Sequence, residues 1–157
     1  LGMVNWRDGL AYGLKLGLLN YTGRRSVGLE LGIVNTVKGD TTGVQLGIVN
    51  SNTGFFHGWQ YGLFNHVNGR FIGMQNGFVN IINGDFSGYQ SGLVNSVSGT
   101  MTGFQWGWFN YAAEMRGLQL GLFNATDSLD GLQIGLSNYA GEESEPMEWM
   151  TIVNWSF

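Results

Sequence analysis

One eight-residue motif recurs along almost the whole chain: glycine, any residue, glutamine, any residue, glycine, two apolar residues and asparagine. It reads GVQLGIVN at 43–50 and GMQNGFVN at 73–80. The motif asparagines are Asn5, Asn20, Asn35, Asn50, Asn65, Asn80, Asn95, Asn110, Asn124 and Asn138. They are 15 residues apart in the first seven steps and 14 apart in the last two. A short fixed period is typical of a solenoid, whose units bury their apolar faces against one another.

Within one unit, numbered from its first glycine, Gly43 is position 1, Gln45 is position 3, Gly47 is position 5 and Asn50 is position 8. Apolar residues recur at positions 2, 4, 6, 10 and 14. A period of two indicates β-strands, and a helix would not tolerate two or three glycines in every unit. The sequence therefore predicts an all-β fold, a single-stack β-solenoid of about nine to ten 15-residue coils.

The alternation predicts that even positions point inward, including the asparagine at position 8. There each side-chain amide would hydrogen-bond the amide of the next coil, so that the buried amides satisfy one another. The residues predicted to form this structural ladder are Asn20, Asn35, Asn50, Asn65, Asn80, Asn95, Asn110, Asn124 and Asn138.

The same alternation predicts that the glutamines at position 3 point outward, on a flat glycine-rich face. Such a face favours either a structural amide ladder or an interface for docking and self-assembly. The ends of the solenoid are the other candidate surface for self-assembly. The candidate interface residues are Gln45, Gln60, Gln75, Gln90, Gln105, Gln119 and Gln133. An inward glutamine column is the alternative, and it would leave the aromatic residues at positions 2 and 4 exposed as a large apolar face.

Two pairs of exceptions support the stacking of like positions. Position 3 carries Lys15 and then Glu30, which are consecutive and of opposite charge. Position 4 is apolar except at Asn76 and Ser91, which are also consecutive. We therefore expect the members of each pair to touch, the second pair inside the core.

The chain divides into a repeat domain, 1–140, and a final segment, 141–157, that departs from the repeat. The final segment reads as an acidic turn followed by a strand in which Thr151, Val153, Trp155 and Phe157 alternate. We expect this strand to cap the stack, because an open solenoid end exposes unpaired strand edges. The chain begins with Leu1 inside a repeat, which indicates a processed or truncated product.

Composition and spacing argue against several functions. A net charge of −4 gives no basic field for nucleic acid. His57 and His66 occupy different repeat positions and lack ligand partners at metal-binding spacing. The serines have no recurring histidine or acid companion, so we expect no catalytic residues, no metal and no cofactor, and a non-enzyme.

The units GVQLGIVN, GLQLGLFN and GLQIGLSN resemble the bacterial surface-repeat proteins of Gram-negative lineages, which are built from tandem GxQxGxxN units. A looser resemblance, carried by QNGFVNII at 75–82, is to the repeats of curli subunits. The resemblance implies an exported structural or adhesive protein of the cell surface or outer membrane, or an extracellular one. Its implied partners are a second copy, another surface component or a membrane.

Three alternatives stay open at this point. The first is an antiparallel outer-membrane β-barrel with one strand per unit, although an apolar row about three residues deep is short for a spanning strand. The second is an ice-binding solenoid, which needs an outward row of small hydroxyls. The third is a glycan-binding solenoid that stacks sugars on Trp59, Trp106 and Trp108, which we otherwise expect in the core.

Overall fold

The computed structural model describes residues 2–141 and 149–157, and the regular structure in these ranges is β-strand throughout. The strands are β1 (Val4–Arg7), β2 (Ala11–Leu16), β3 (Leu19–Thr22), β4 (Ser26–Leu31), β5 (Val34–Val37), β6 (Thr41–Leu46), β7 (Val49–Asn52), β8 (Phe56–Val67), β9 (Phe71–Ile82), β10 (Phe86–Ala140) and β11 (Trp149–Ser156). Six-residue and four-residue strands alternate up to β7, whereas β8, β9 and β10 continue through the bends of their coils. The predicted all-β fold is confirmed.

Successive units stack in parallel and in register. Strand β2 pairs with β4 and then β6, and β1 pairs with β3, β5 and β7, so each coil contributes one strand to each side of the stack. The register joins like positions, as in Gly58 to Gly73 and Asn65 to Asn80. The predicted β-solenoid is therefore confirmed. The antiparallel barrel alternative is wrong, because it requires neighbouring units to pair in opposite directions.

The asparagine ladder is confirmed along its whole length. Each asparagine from Asn5 to Asn124 donates from Nδ2 to Oδ1 of the next one, at 2.7 to 2.9 Å. Each Nδ2 also donates to the position-4 carbonyl of the next coil, as Asn80 does to Ser91 O at 2.7 Å. Each asparagine amide thus bridges two coils at the bend. The position-4 carbonyl oxygen can accept this bond because the strand hydrogen bonds leave one of its lone pairs free.

The prediction that the glutamines at position 3 point outward is wrong, and the inward alternative is confirmed, because these glutamines are fully buried. Gln60 donates to Gln45 at 3.0 Å, and each later glutamine donates to the one before it at 2.8 Å. This glutamine column therefore runs opposite in direction to the asparagine ladder. Its N-terminal end is Gln45, which donates to the carboxylate of Glu30 at 2.8 Å.

The physical reason for the error is the odd length of the repeat. Because 15 is odd, strict in-and-out alternation must break once in every coil. The break falls at positions 6 and 7, which both point outward, so positions 1, 3 and 14 share the inner face of one strand and positions 8 and 10 share that of the other. Positions 8, 10 and 14 are buried as predicted, whereas the apolar positions 2, 4 and 6 lie on the outside.

Position 1 is glycine because the backbone there has an unusual conformation and lies close to the neighbouring coil. Gly73 has φ of 132°, and a Cβ there would overlap the carbonyl oxygen of Gly58 in the neighbouring coil. A side chain is therefore excluded both by backbone conformation and by the close approach of coils. The predicted use of these glycines as a flat outer docking face is wrong, since they face inward.

The cap is confirmed as a strand. Strand β11 pairs antiparallel with the last coil, with Leu132 opposite Trp155. Asn154 is buried and donates to Gln133 Oε1 at 3.2 Å, so it ends the glutamine column rather than the asparagine ladder. The acidic turn predicted from Glu142, Glu143 and Glu145 lies outside the described residues.

Candidate functional site: an apolar ridge with an aromatic groove

The predicted interface does not exist as a surface. Gln45, Gln60, Gln75, Gln90, Gln105, Gln119 and Gln133 are buried inside the stack and hydrogen-bonded to one another. They hold coils together and cannot contact a partner. The side chains that do reach the outside are the apolar ones that the sequence pattern had placed in the core.

One long edge of the stack is apolar along its length. It is formed by positions 6 and 7, at the bend between the two strands of each coil, and we call it the ridge. The ridge residues are Leu18, Leu19, Ile33, Val34, Ile48, Val49, Leu63, Phe64, Phe78, Val79, Leu93, Val94, Trp108, Phe109, Leu122 and Phe123. Most of them are about half exposed; Phe64 and Phe78, for example, keep 51% and 54% of their surface accessible. Continuous exposed apolar surface of this kind is typical of interaction sites.

The opposite edge, at the bend of positions 11 to 13, carries the charge. Apart from Lys15 and Glu30 inside the stack, every charged residue in the described ranges lies in positions 10 to 15. These charged-edge residues are Arg7, Asp8, Arg24, Arg25, Lys38, Asp40, Arg70, Asp85, Glu114, Arg116, Asp127 and Asp130. None of them lies on the ridge, so the two edges of the solenoid differ sharply in polarity.

Carboxylates on the charged edge stabilise the turns. Asp40 accepts the backbone N–H of Phe55, at 2.9 Å, and Asp85 accepts that of Thr100, at 3.0 Å. Hydrogen bonds from Thr100 and Arg116 lower the pKa of Glu114. These side chains therefore have structural partners in neighbouring coils.

A groove lies beside the ridge, on the face formed by positions 2 and 4. It has a cavity volume of about 830 Å³ and spans several coils. At position 4 it is bounded by Tyr61 and Trp106, which are three coils apart, or about 14 Å at the usual spacing of strands. Phe78 and Leu93 of the ridge form one side, and all lining residues are uncharged.

The floor of the groove is polar. Asn76 and Ser91 occupy position 4, where most other coils carry a large apolar residue. Asn76 donates from Nδ2 to Ser91 Oγ at 2.7 Å, and its Oδ1 accepts the indole N–H of Trp59 at 2.8 Å. The predicted contact between Asn76 and Ser91 is confirmed, but their predicted place in the core is wrong.

The three tryptophans singled out in the sequence are exposed rather than buried. Trp59, Trp106 and Trp108 keep 41%, 54% and 58% of their surface accessible, and all three line the groove. The expectation that they belong to the core is therefore wrong. Buried aromatic residues do exist, but they come from position 14, where Phe56, Phe71 and Phe86 stack.

The two histidines lie apart from the groove. His66 Nε2 is 3.2 Å from Asn83 Nδ2, and the ring of His57 contacts that of Phe55. Within 2–141 and 149–157, no three histidine or carboxylate side chains come together in a metal-binding group. The same ranges contain no helix long and apolar enough to cross a membrane.

Comparison of the chain with protein-family models, with curated proteins and with solved structures finds no match.

Sequence reasoning missed the ridge, although a signal for it was present. Charged side chains avoid positions 4 to 9 in every described coil, and positions 6 and 7 are apolar in nearly all of them. Because charged residues are almost never buried without a partner, their positions mark the outside and thereby orient each coil. The sequence showed Asn76 and Ser91, which form the groove floor, as exceptions at position 4. Only the in-and-out alternation assigned them to the inner face of the strand.

Proposed function

We propose that the protein is a non-enzymatic structural protein of the bacterial cell surface that adheres to lipid through its ridge. The observation that carries the proposal is the separation of the charged edge from the ridge on opposite sides of the solenoid. A polar side facing water and an apolar side a few ångströms deep are the features of proteins that lie in a membrane interface.

Lipid fits the ridge better than a second copy does. The ridge is a convex bend, and apolar side chains continue from it onto both adjoining faces, as with Trp106 at position 4 on one side and Ile81 at position 9 on the other. A rigid partner would cover one face and leave the other in water. Fluid acyl chains cover both, and each buried apolar side chain contributes about 1.5 to 3 kcal/mol if fully removed from water.

Residues that flank the ridge suit the interface region of a bilayer. Tyr111 follows the ridge at position 9, and its hydroxyl donates to Asp127 at 3.0 Å. Burial, assisted by this hydrogen bond, raises the pKa of the Tyr111 hydroxyl, which keeps it protonated as a donor. Tyrosine and tryptophan with an apolar ring and a polar group are typical of membrane–water interfaces.

Association through the glutamine face is excluded as a mechanism, since that face is internal. Strand β11 pairs with the last coil at the C-terminal end. Self-association of the free protein is therefore expected to use the ridge, and lipid should compete with it. Cell-surface location and export rest on the resemblance of the repeats to bacterial surface-repeat units.

Flotation with phosphatidylcholine vesicles tests the proposal. We expect the protein to float with the vesicles and to remain bound in about 1 M salt, because the ridge carries no charge and salt screens only charges. The double variant Phe64→Asp/Phe109→Asp should reduce the floated fraction at least about tenfold, since it places a carboxylate in the lipid at two points along the ridge.

The matched control is Asn68→Asp/Ala113→Asp, which adds the same charge to the charged edge of the same two coils. It should float like the unsubstituted protein. The proposal fails if the unsubstituted protein does not float or if the ridge variant floats as well as the control. A stable dimer by light scattering, with no vesicle binding, would identify the ridge as an interface between copies instead.

A further inference from the structure

The groove interrupts an otherwise apolar row at one place only within the described coils. Position 4 carries tyrosine at Tyr61 and tryptophan at Trp106, and the two coils between them carry Asn76 and Ser91. These small polar side chains create the depression and place polar atoms at its floor. Lipid adhesion along the ridge explains neither the depression nor the polar pair.

The polar pair retains hydrogen-bonding capacity toward the groove. Asn76 uses one Nδ2 hydrogen on Ser91 and one Oδ1 lone pair on Trp59. A second amide hydrogen and a second lone pair remain, together with the hydroxyl hydrogen of Ser91. Because these groups are partly shielded, a ligand that pairs with them recovers hydrogen bonds in a setting of reduced water access.

We propose that this groove binds a neutral saccharide. A pyranose ring has apolar C–H faces and a rim of hydroxyls, each of which both donates and accepts. Trp106 and Tyr61 supply aromatic surface for the ring faces, and Asn76 and Ser91 supply donors and acceptors for the hydroxyls. Such a combination of apolar walls with a few convergent polar groups is typical of small-ligand sites.

The groove chemistry disfavours other ligand classes. An acyl chain would leave the remaining amide hydrogen and lone pair of Asn76 and the hydroxyl hydrogen of Ser91 unpaired, which costs free energy. An anionic ligand would find no cation, since no lining residue is charged. The three-coil length, about 14 Å, fits a short oligosaccharide rather than a single flat ring.

The saccharide has two chemical sources, a free oligosaccharide and the headgroup of a neutral glycolipid. The groove adjoins the ridge through Phe78 and Leu93, so a headgroup would enter it while the ridge contacts the acyl region. The saccharide proposal does not depend on lipid adhesion, because binding of a soluble sugar can be measured with no vesicle present.

The test uses neutral hexasaccharides of glucose, galactose and N-acetylglucosamine, titrated against the full chain by calorimetry and tryptophan fluorescence. We expect at least one to bind with a dissociation constant below about 1 mM. The variant Asn76→Leu/Ser91→Leu should weaken binding at least tenfold. It should fold normally, because leucine already occupies position 4 in other coils, at Leu31 and Leu46.

Ser96→Leu is the matched control, since it adds leucine to the coil of Ser91 on the opposite strand. It should bind as the unsubstituted protein does. Vesicles containing a neutral glycolipid, competed with the soluble sugar, distinguish a headgroup from a free saccharide. The proposal is overturned if none of the three sugars binds, or if binding survives in the folded Asn76→Leu/Ser91→Leu variant.

Discussion

The interior of the solenoid changes character between its N-terminal and central coils. In the N-terminal coils, Lys15 pairs with Glu30 at 3.0 Å, and Glu30 also accepts the Ser26 hydroxyl at 2.6 Å. Thr22 bonds to the same two charged side chains. In the central coils position 14, which is Ser26 in the N-terminal region, carries phenylalanines whose ring centroids stack at 4.6 and 5.0 Å.

The backbone coil is nevertheless the same in both regions. Strand pairing keeps a 15-residue register through each, and the asparagine ladder passes through both without a break. The shape of a coil is therefore set by the backbone and by the bend that the asparagines hold. Side chains at positions 3 and 14 fill the space inside and set the local stability, by ionic and hydrogen-bonded contacts at one end and by apolar packing in the centre.

The largest expected effect comes from the central stack. Phe71→Ala should lower the free energy of unfolding by about 3 to 5 kcal/mol, because it leaves a cavity between Phe56 and Phe86. Denaturant unfolding followed by circular dichroism measures the change.

The matched control is Phe78→Ala, which removes the same side chain from the exposed ridge on the same strand, β9. It should cost less than about 1 kcal/mol in the absence of lipid. Equal losses for the two substitutions would contradict the assignment of inner and outer faces.

Replacing both members of the ion pair in the N-terminal coils should cost little stability, whereas replacing only one of them should cost much more. Glu30→Gln leaves the Lys15 ammonium, which is 13% exposed, without its carboxylate, and should cost about 3 kcal/mol. The double variant Lys15→Gln/Glu30→Gln extends the glutamine column instead and should recover most of that loss. Denaturant unfolding of the unsubstituted protein, Lys15→Gln, Glu30→Gln and the double variant gives the coupling energy.

A double variant as unstable as Glu30→Gln alone would show that the N-terminal coils need the charges themselves. In that case the two regions would differ in more than the side chains that fill their interior, and the glutamine column could not be extended toward the N-terminus.

The smallest expected effect concerns the asparagine ladder, which the two regions share. Asn80→Ala should cost about 1 to 3 kcal/mol by leaving buried amide and carbonyl groups unpaired, including Ser91 O. Asn35→Ala, in the polar region, should cost the same within about 1 kcal/mol, because its hydrogen bonds are equivalent. A clear difference in the two denaturation midpoints would mean that the ladder depends on its surroundings.

Much of the fold was predictable because it depends on the spacing of like residues. The 15-residue recurrence of asparagine predicted parallel stacking, and Lys15 followed by Glu30 predicted a contact that the structure confirms. The contact of Asn76 with Ser91 was predictable for the same reason. The groove whose floor these two residues form was not predictable, because its existence depends on which face of the strand is outside.

The sequence by itself determined the period, the strand character and the columns, because identical spacing forces like residues together once coils stack. Only the tertiary structure decided which columns are inside. An odd repeat must break its alternation once per coil, and the sequence does not state where. The tertiary structure places the break at positions 6 and 7, where a bend held by the asparagine ladder turns the glutamines inward. Buried amides are stable there because every neighbouring coil supplies a partner, and the apolar side chains are left to form the outer ridge.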